Sequence, residues 1–600
     1  MGVKHFFIWY KKHFGSCLKI INSHQKENFE TVKCNIETLC IDLNGVFHNA
    51  AQKIYKYGNF APKNPRLLSK KKGNGLKNQL CFFKEVCEKI EYYRNLVNPS
   101  KRIVICIDGI AGNAKMAQQR QRRFKTAKNS ETPEDFDPNC LTPGTKVMDF
   151  LSKYIDWYIR TMISYSPEWQ KLDIIFSDEK TPGEGEHKIV NYMREFASDN
   201  ESICIHGMDA DLIMLALSSQ RDNLYILREN MMNINELYLL DISKFNKELS
   251  SFMRWDSRQE VNVTCNPEEY SKDINAPFRP KTAIIDFVFI CFLVGNDFLP
   301  TLPALAILEG GIDSMIDVYK DVGKAYGHLT KISRKDKTQS ITFNIQALQV
   351  FFGTLAQYEK GFLEEKLSKI NEFISDPLLM KHSSSKYDAD MNDTKLTFTL
   401  NFEKYKDEYY ERKFPELTSI DTVCKEYIRG MEWVLTYYFR GIPDWKWFYP
   451  YFYGPFLCDL TDFLNEYTFE AFPRNKPVLP FIQLLSVLPP QSSHLLPFPC
   501  DKIITSEVSP LKNFYPMDFE VDCSGKRREW EGIVILPMID TKKLEVEYAK
   551  CLDSIKEQDL RRNVVKTSKV YNYNKKFYKE FKSFYGNIPE CKAFISSIDI

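Results

Sequence analysis

Asp178-Glu-Lys-Thr-Pro-Gly-Glu-Gly-Glu-His-Lys188 and, one short helical pattern later, His206-Gly-Met-Asp-Ala-Asp-Leu-Ile-Met-Leu215 decide how the rest of this chain reads. Two acid pairs, Glu184/Glu186 and Asp209/Asp211, each lie two residues apart. Each follows an apolar, β-branched run of the kind that forms a buried strand. Carboxylates gathered at strand ends raise one another's pKa unless a cation sits among them. Mg²⁺ or Mn²⁺, hard ions that take oxygen ligands, suit such a set.

Working outward, two earlier runs repeat the pattern. Leu39 to Leu43 reads as a strand carrying Asp42 and ending at an Asn44-Gly45 turn, with helical periodicity from Val46. Arg102 to Asp108 ends in an acid followed by glycine. Leu172 to Phe176 and Ser202 to His206 are the strands that deliver the two acid pairs, and Leu224–Leu227 and Leu237–Leu240 are further strand candidates. Helical patterns intervene at Leu80–Val97, at Lys115–Lys128 and from Thr145 to about Ser164. Strands alternating with helices imply a mostly parallel sheet with right-handed crossovers. Ligands of such sheets collect at the carboxyl ends of the strands, which would bring together Asp42, Asp108, Glu184, Glu186, Asp209 and Asp211. A further apolar run, Val288 to Val294, leads to Gly295-Asn296-Asp297 and offers a seventh acid. A lone acid beside a glycine is more simply a helix cap or turn former; six at successive strand ends are not.

The segment Lys115–Lys128 carries six cations and no acid, and Lys115, Gln119, Arg122 and Arg123 fall at offsets that share one helical face. The formal net charge of +2 makes such local clustering the only sequence evidence for a polyanion site. Six hundred residues, 44% hydrophobic and 27% charged, describe a globular chain of two or more domains. Sixteen scattered cysteines without a Cys-x-x-Cys pair disfavour zinc and disulfide frameworks. Lysines around Phe6–Tyr10 argue against a secretory signal, and the apolar stretch 284–308 is too interrupted by polar residues to cross a bilayer. These features point to an intracellular protein with no membrane or disulfide partner. Beyond 310 the pattern is mostly helical, with a polar loop expected at 383–400 and an aromatic cluster from Trp433 to Tyr453.

The chain resembles the Xrn-type 5′→3′ exoribonucleases. The resemblance rests on Met1-Gly-Val3, Asp42-Leu-Asn-Gly45, Lys115-Met-Ala-Gln-Gln-Arg-Gln-Arg-Arg-Phe124 and Phe136-Asp-Pro-Asn-Cys-Leu-Thr-Pro-Gly144. It continues through Pro182-Gly-Glu-Gly-Glu-His-Lys188, Asp209-Ala-Asp-Leu-Ile-Met-Leu215, Leu293-Val-Gly-Asn-Asp-Phe-Leu-Pro300, Trp433-Val-Leu-Thr-Tyr-Tyr438, Trp445-Lys-Trp-Phe-Tyr-Pro450 and Phe514-Tyr-Pro-Met-Asp-Phe-Glu520. Lys4 stands where the family has Pro, and Ala111-Gly-Asn-Ala114 replaces its Ala-Pro-Arg-Ala.

The resemblance implies an α/β core like that of PIN and flap nucleases over 1–310, and a helical connection over 311–382. A polar linker over 383–400 would come next, then a second conserved region over 401–600 that completes the active-site pocket. The long C-terminal extensions of the large members are expected to be missing. It implies processive, two-metal hydrolysis of 5′-monophosphorylated single-stranded RNA, with Asp42, Asp108, Glu184, Glu186, Asp209, Asp211 and Asp297 holding two Mg²⁺ or Mn²⁺ ions. By the same resemblance Lys115, Gln119, Arg122 and Arg123 take the 5′-phosphate. His48, on sequence alone a turn or core histidine, stacks on the first base, and Trp445 or Trp447 closes the base stack. The cytoplasm is the favoured compartment over the nucleus, and protein partners stay unspecified. Two alternatives remain: a DNA flap nuclease on a similar acid-ringed sheet, and a catalytically silent RNA-end-binding protein.

Overall fold

The computed structural model describes residues 6–22, 35–61, 75–128, 136–230, 233, 236–255, 276–305, 310–335, 338–370, 374–390, 393–526, 528 and 531–600, with backbone alone for 22, 334–335, 338–339, 387–390 and 393–396. The chain folds as two units. One comprises Ser16–Lys244, Asn475–Asp518 and Leu536–Ile600; the other comprises Met1–Gly15, Phe245–Arg474 and Phe519–Ile535. The division therefore falls near 244 rather than 310, and two later segments return to the first unit.

The first unit is built on nine strands: β1 (Leu18–Asn22), β2 (Thr38–Asp42), β3 (Arg102–Cys106), β4 (Asp173–Ser177), β5 (Ile203–His206), β6 (Leu224–Glu229), β7 (Glu236–Asp241), β8 (Ser568–Tyr573) and β9 (Ala593–Ile598). Their order is β1-β7-β6-β5-β2-β3-β4-β8-β9. The central five, β6 to β4, are parallel, and the outer four pair antiparallel. All residues of β2 and β5 are buried, as strands covered by helices on both faces must be. The mostly parallel sheet expected from the β-α alternation is present, and β1, β8 and β9 extend it with antiparallel edges that the alternation did not announce.

At the amino ends of the central strands Glu201 and Arg102 are each held by several partners. Glu201 accepts from Thr38 Oγ1 (2.5 Å), Lys101 Nζ (2.7 Å) and Tyr192 OH (2.9 Å). Arg102 donates to Tyr192 OH (2.6 Å) and to Asp173 (3.1 Å).

In the second unit the helix Pro280–Leu293 has every residue from Thr282 on buried. Its Asp286 carboxylate accepts from Tyr319 OH, His328 Nδ1, Leu329 N, Thr330 N and Thr330 Oγ1, a shell that makes a fully buried acid tolerable. His328 Nε2 accepts from Arg279 N at 2.8 Å, which places the ring proton on Nδ1. The expected polar loop at 383–400 is instead an antiparallel pair, Ser383–Asp390 with Asp393–Leu400. Its polar side chains hide a ladder made by the backbone.

Candidate active site

Asp42 is the last residue of β2 and also the N-cap of the helix Leu43–Tyr55, accepting from Asn44 N at 3.2 Å. The helix starts directly from the strand, so Asn44 and Gly45 lie within it rather than in a turn. Asn44 ties two strand ends together. Its Nδ2 donates to Asp42 (2.7 Å) and to Asp108, and its Oδ1 accepts from Asp108 N (3.1 Å).

The Gly-Glu-Gly-Glu loop then closes on this pair. Gly185 N donates to Asp108 at 2.7 Å, and a Cβ on Gly185 would lie 2.6 Å from Asp42 Oδ1 and 3.0 Å from Asn44 Nδ2. Only glycine lets the backbone pass so close to the acids. Gly183 adopts φ +105°, and it exchanges backbone hydrogen bonds with the segment after β3: Gly109 N to Gly183 O and Gly183 N to Ile110 O, both 2.8 Å. Lys188, buried beneath the loop, donates to the carbonyls of Ile107 (2.7 Å) and Asp178 (2.9 Å) and so stitches the ends of β3 and β4. Arg228 donates to Met208 O at 2.7 Å, beside Asp209. Gln483 reaches Ala111 N at 2.7 Å from the helix Pro480–Val487.

One oxygen from each of Glu186, Asp209 and Asp211 lies within 4.8 Å of the others. Burial, then Asp211, Asp209 and Glu184, push the Glu186 carboxyl well above the usual range, with Lys115 opposing. Burial, then Asp108 and Asp209, do the same to Asp42. Glu186 Oε2 is buried with no hydrogen-bond partner. Crowded, desolvated carboxylates with an oxygen left over match the donor chemistry of a hard divalent cation.

The basic helix, Asn113–Lys128, borders this cluster. Lys115 pairs with Glu184 at 2.5 Å. Gln119 and Arg123 are buried, and Gln119 Oε1 and Arg123 Nη1 have no hydrogen-bond partner; Arg122 is exposed. Burial, then Arg122 and Arg123, lower the His48 pKa to about 4, with Asp209 opposing, so His48 lies within the fields of both the basic helix and the acid cluster. Arg120 serves packing instead, donating to the carbonyls of Ser486 and Phe514 with its guanidinium 4.3 Å from the Phe124 ring centroid. His187 is buried, with its charged form disfavoured by burial, Arg194 and Lys115.

Asp297, Trp445 and Trp447 belong to the other unit, where the turns that carry them pack on one helix, Ile420–Arg440. Asp297 is half-buried in a turn held by Asn296, whose Oδ1 accepts from Phe298 N (2.8 Å) and Leu299 N (3.0 Å). Phe298 lies edge-on to Trp433, and Trp447 stacks on Trp433 with centroids 5.1 Å apart. Trp445 is half-buried.

Sequence reasoning missed Asn44, Lys188, Arg228 and Gln483. Asn44 and Lys188 stood inside quoted motifs, but their partners lie 64 and 81 residues away.

No helix among the described residues is long and apolar enough to cross a membrane. Two family models match the chain: the XRN 5′-3′ exonuclease N-terminus over residues 1–230, and the Xrn1 helical domain over 277–372 and 371–597. The chain is 29% identical over 709 positions to the 5′-3′ exoribonuclease 2 homolog of Drosophila melanogaster, covering 99% of this chain and 76% of the relative. It is 29% identical over 625 positions to the 5′-3′ exoribonuclease 1 of Homo sapiens, covering 94% of this chain and 35% of the relative. With the 5′-3′ exoribonuclease 1 of Saccharomyces cerevisiae it shares 26% over 734 positions, covering 98% of this chain and 46% of the relative. Since the two models together take in both folded units, this chain belongs to the Xrn family of 5′→3′ exonucleases.

Proposed function

We propose that the protein is a processive 5′→3′ exoribonuclease that degrades 5′-monophosphorylated single-stranded RNA to nucleoside 5′-monophosphates. The observation that carries this reading is the junction of Lys115 with Glu184, where a helix with a buried, hydrogen-bond-deficient arginine adjoins a crowded acid cluster. The acids suit hydrolysis of a phosphodiester; the helix suits recognition of a terminal phosphate.

Glu186, Asp209 and Asp211, with Asp42, Asp108 and Glu184 around them, would hold Mg²⁺ or Mn²⁺, two ions in all. Divalent ions bound there make a water nucleophilic at neutral pH and stabilise the oxygen leaving phosphorus. The chain's own groups bind and orient. Arg123 offers an unused guanidinium nitrogen to phosphate oxygens, Arg122 a solvent-facing fork, Gln119 an amide and Lys115 a point charge. His48, neutral at pH 7 because of its burial and the neighbouring arginines, presents an uncharged ring for base stacking. Trp445 and Trp447 are the candidates for the far side of the stack. Trp447 rests one face on Trp433.

A flap nuclease has no need of the second, helical unit, and a silent RNA-end binder would be expected to have lost an acid; all seven are in the sequence. The test compares end-labelled RNA carrying a 5′-monophosphate with the same RNA carrying a 5′-hydroxyl, in magnesium, with Glu184→Gln alongside. Mononucleotide release from the phosphorylated RNA alone, abolished in Glu184→Gln with RNA binding retained, is expected. Equal rates on both ends would sink the phosphate pocket, and full activity of Glu184→Gln the metal site.

A further inference from the structure

The first unit carries a second surface with nucleic-acid chemistry, on the flank of the sheet formed by β8 and β9. Strand β8 runs antiparallel to β4, with Lys569 opposite Phe176 and Tyr571 opposite Ile174. The chain leaving Tyr573 therefore emerges beside Asp173, at the amino end of β4, and Asn572 Nδ2 donates to Asp173 there (2.5 Å). From there the segment runs along the helix Lys146–Tyr165, with Lys592 N donating to Ser164 Oγ (3.1 Å) and Tyr585 OH donating to Phe150 O (3.1 Å).

Beyond Tyr573 the chain folds back onto itself. Asn574 N donates to Lys592 O (3.0 Å), Phe577 N to Asn574 O (3.1 Å), and Lys579 pairs with Cys591 in a small hairpin. The Phe577 and Phe594 rings meet with centroids 5.8 Å apart. Residues 574–594 contain five lysines against two glutamates. Lys575, Lys576, Lys579 and Lys582 are exposed, and Lys592 lies half-buried among them. Interleaved with them, four aromatic rings face solvent: Phe577 is 36% exposed, Phe594 46%, Tyr578 69% and Phe584 81%.

Lysines on an outer strand guard against edge-to-edge pairing, but that function calls for charge alone and leaves the rings unexplained. Protein-binding surfaces use aromatic rings but are depleted in lysine. Rings spaced among cations are what a single strand needs: a π-face for each base and a positive charge for each phosphate. We infer that the segment Asn574–Phe594 is a second RNA-binding surface, which holds the body of a long single strand outside the acid cluster. The proposal draws on the exoribonuclease reading only for the identity of the polyanion.

The test uses the full chain in EDTA, so that binding is read without hydrolysis. Fluorescence anisotropy would measure single-stranded RNAs of about 30 and about 5 nucleotides against wild type, Tyr578→Ala/Phe584→Ala and Lys575→Glu/Lys576→Glu. All four side chains are exposed, so folding should be untouched, which a melting curve checks. Affinity for the long RNA is expected to fall about tenfold in both variants, with a shallower salt dependence in the lysine variant. Affinity for the short RNA, and its 5′-end hydrolysis in magnesium, should stay at wild-type levels. Unchanged affinity for the long RNA overturns the proposal, including where these variants lose a protein partner instead. An equal loss at both lengths also overturns it. A wild-type protein that binds long RNA through this surface yet releases no mononucleotides would sink the exoribonuclease reading and leave this one standing.

Discussion

The two edges of the central sheet bury the same kind of side chain and treat it in opposite ways. At the amino edge burial alone would raise the Glu201 pKa, but bonds from Lys101, Thr38 and Tyr192 overcome it and hold the carboxyl down at about 2. At the carboxyl edge Asp42 and Glu186 are also buried, yet their nearest charged neighbours are mostly other acids, and both are pushed up. Glycine backbone packs against the acids there, where a side chain at 185 would collide with Asp42 and Asn44. A fold that holds one buried glutamate down with donors, and elsewhere crowds Asp42 and Glu186 among other acids that push them up, offers a cation a place where it would relieve that crowding. That crowding, more than the number of acids, marks the site.

The sharpest way to break this contrast is to remove one charge at each edge. Glu186→Gln should cut mononucleotide release by about 10³-fold or more, since it deletes a carboxylate from the metal-holding set. The same change should raise the melting temperature by about 2 °C in the absence of divalent ions, because it relieves crowding among like charges. A lower melting point under those conditions would mean that the acid edge is compensated after all. Glu201→Ala should do the reverse. It leaves Lys101 and Arg102 beside an empty site and should cost about 3–5 kcal/mol, read as a drop in the urea midpoint, with the activity of the folded protein unchanged.

The pH dependence has a definite sign at the amino edge. Glu201 titrates at about 2 when folded, below the ordinary glutamate value of 4.5. Its stabilisation is therefore fully present above pH 4.5 and is lost as pH falls from about 4.5 toward 2, by about 3 kcal/mol in all. Replacing it with glutamine should flatten the melting temperature across that window. A curve that keeps its slope would place the acid-sensitive group elsewhere.

Much of the acid edge could be read directly from the residues. The strands of Asp42, Asp108, Glu184 and Asp209 are continuous apolar runs broken by an acid and a glycine, and the basic helix shows its face through spacing alone. What stayed hidden was whatever depends on partners distant in the chain. Asn44 looks like half of a turn signal until Asp108 is beside it, and Lys188 like one more exposed lysine until it is found under two strand ends. Strand β8, with Lys569 and Asn572 among its six residues, carries little apolar signal because it pairs on the flank of the sheet. The pair at 383–400 was hidden for a similar reason, since serine, lysine, aspartate and threonine read as loop while the backbone ladder leaves no mark on composition. The contrast itself is not a property of sequence, for the residues that define the two edges are the same types.

The smallest effect tests whether compensation at the amino edge is specific or merely a balance of signs. Arg102 uses two guanidinium nitrogens at once, one on Tyr192 OH and one on Asp173, with Glu201 3.9 Å away. Lysine keeps the charge but brings a single ammonium, which cannot serve both partners. The orphaned group would be Asp173, and its loss is softened twice: its side chain is 41% exposed and it still accepts from Asn572. Solvent screening therefore limits the cost of Arg102→Lys to about 0.5–1 kcal/mol, measurable as a small shift in the urea midpoint that shrinks further in high salt. If the shift were several times larger and indifferent to salt, the amino edge would depend on the fork geometry of arginine. If RNA hydrolysis fell while stability held, the two edges would be coupled, and the division between a compensated edge that holds the sheet and a crowded edge that acts on RNA would fail.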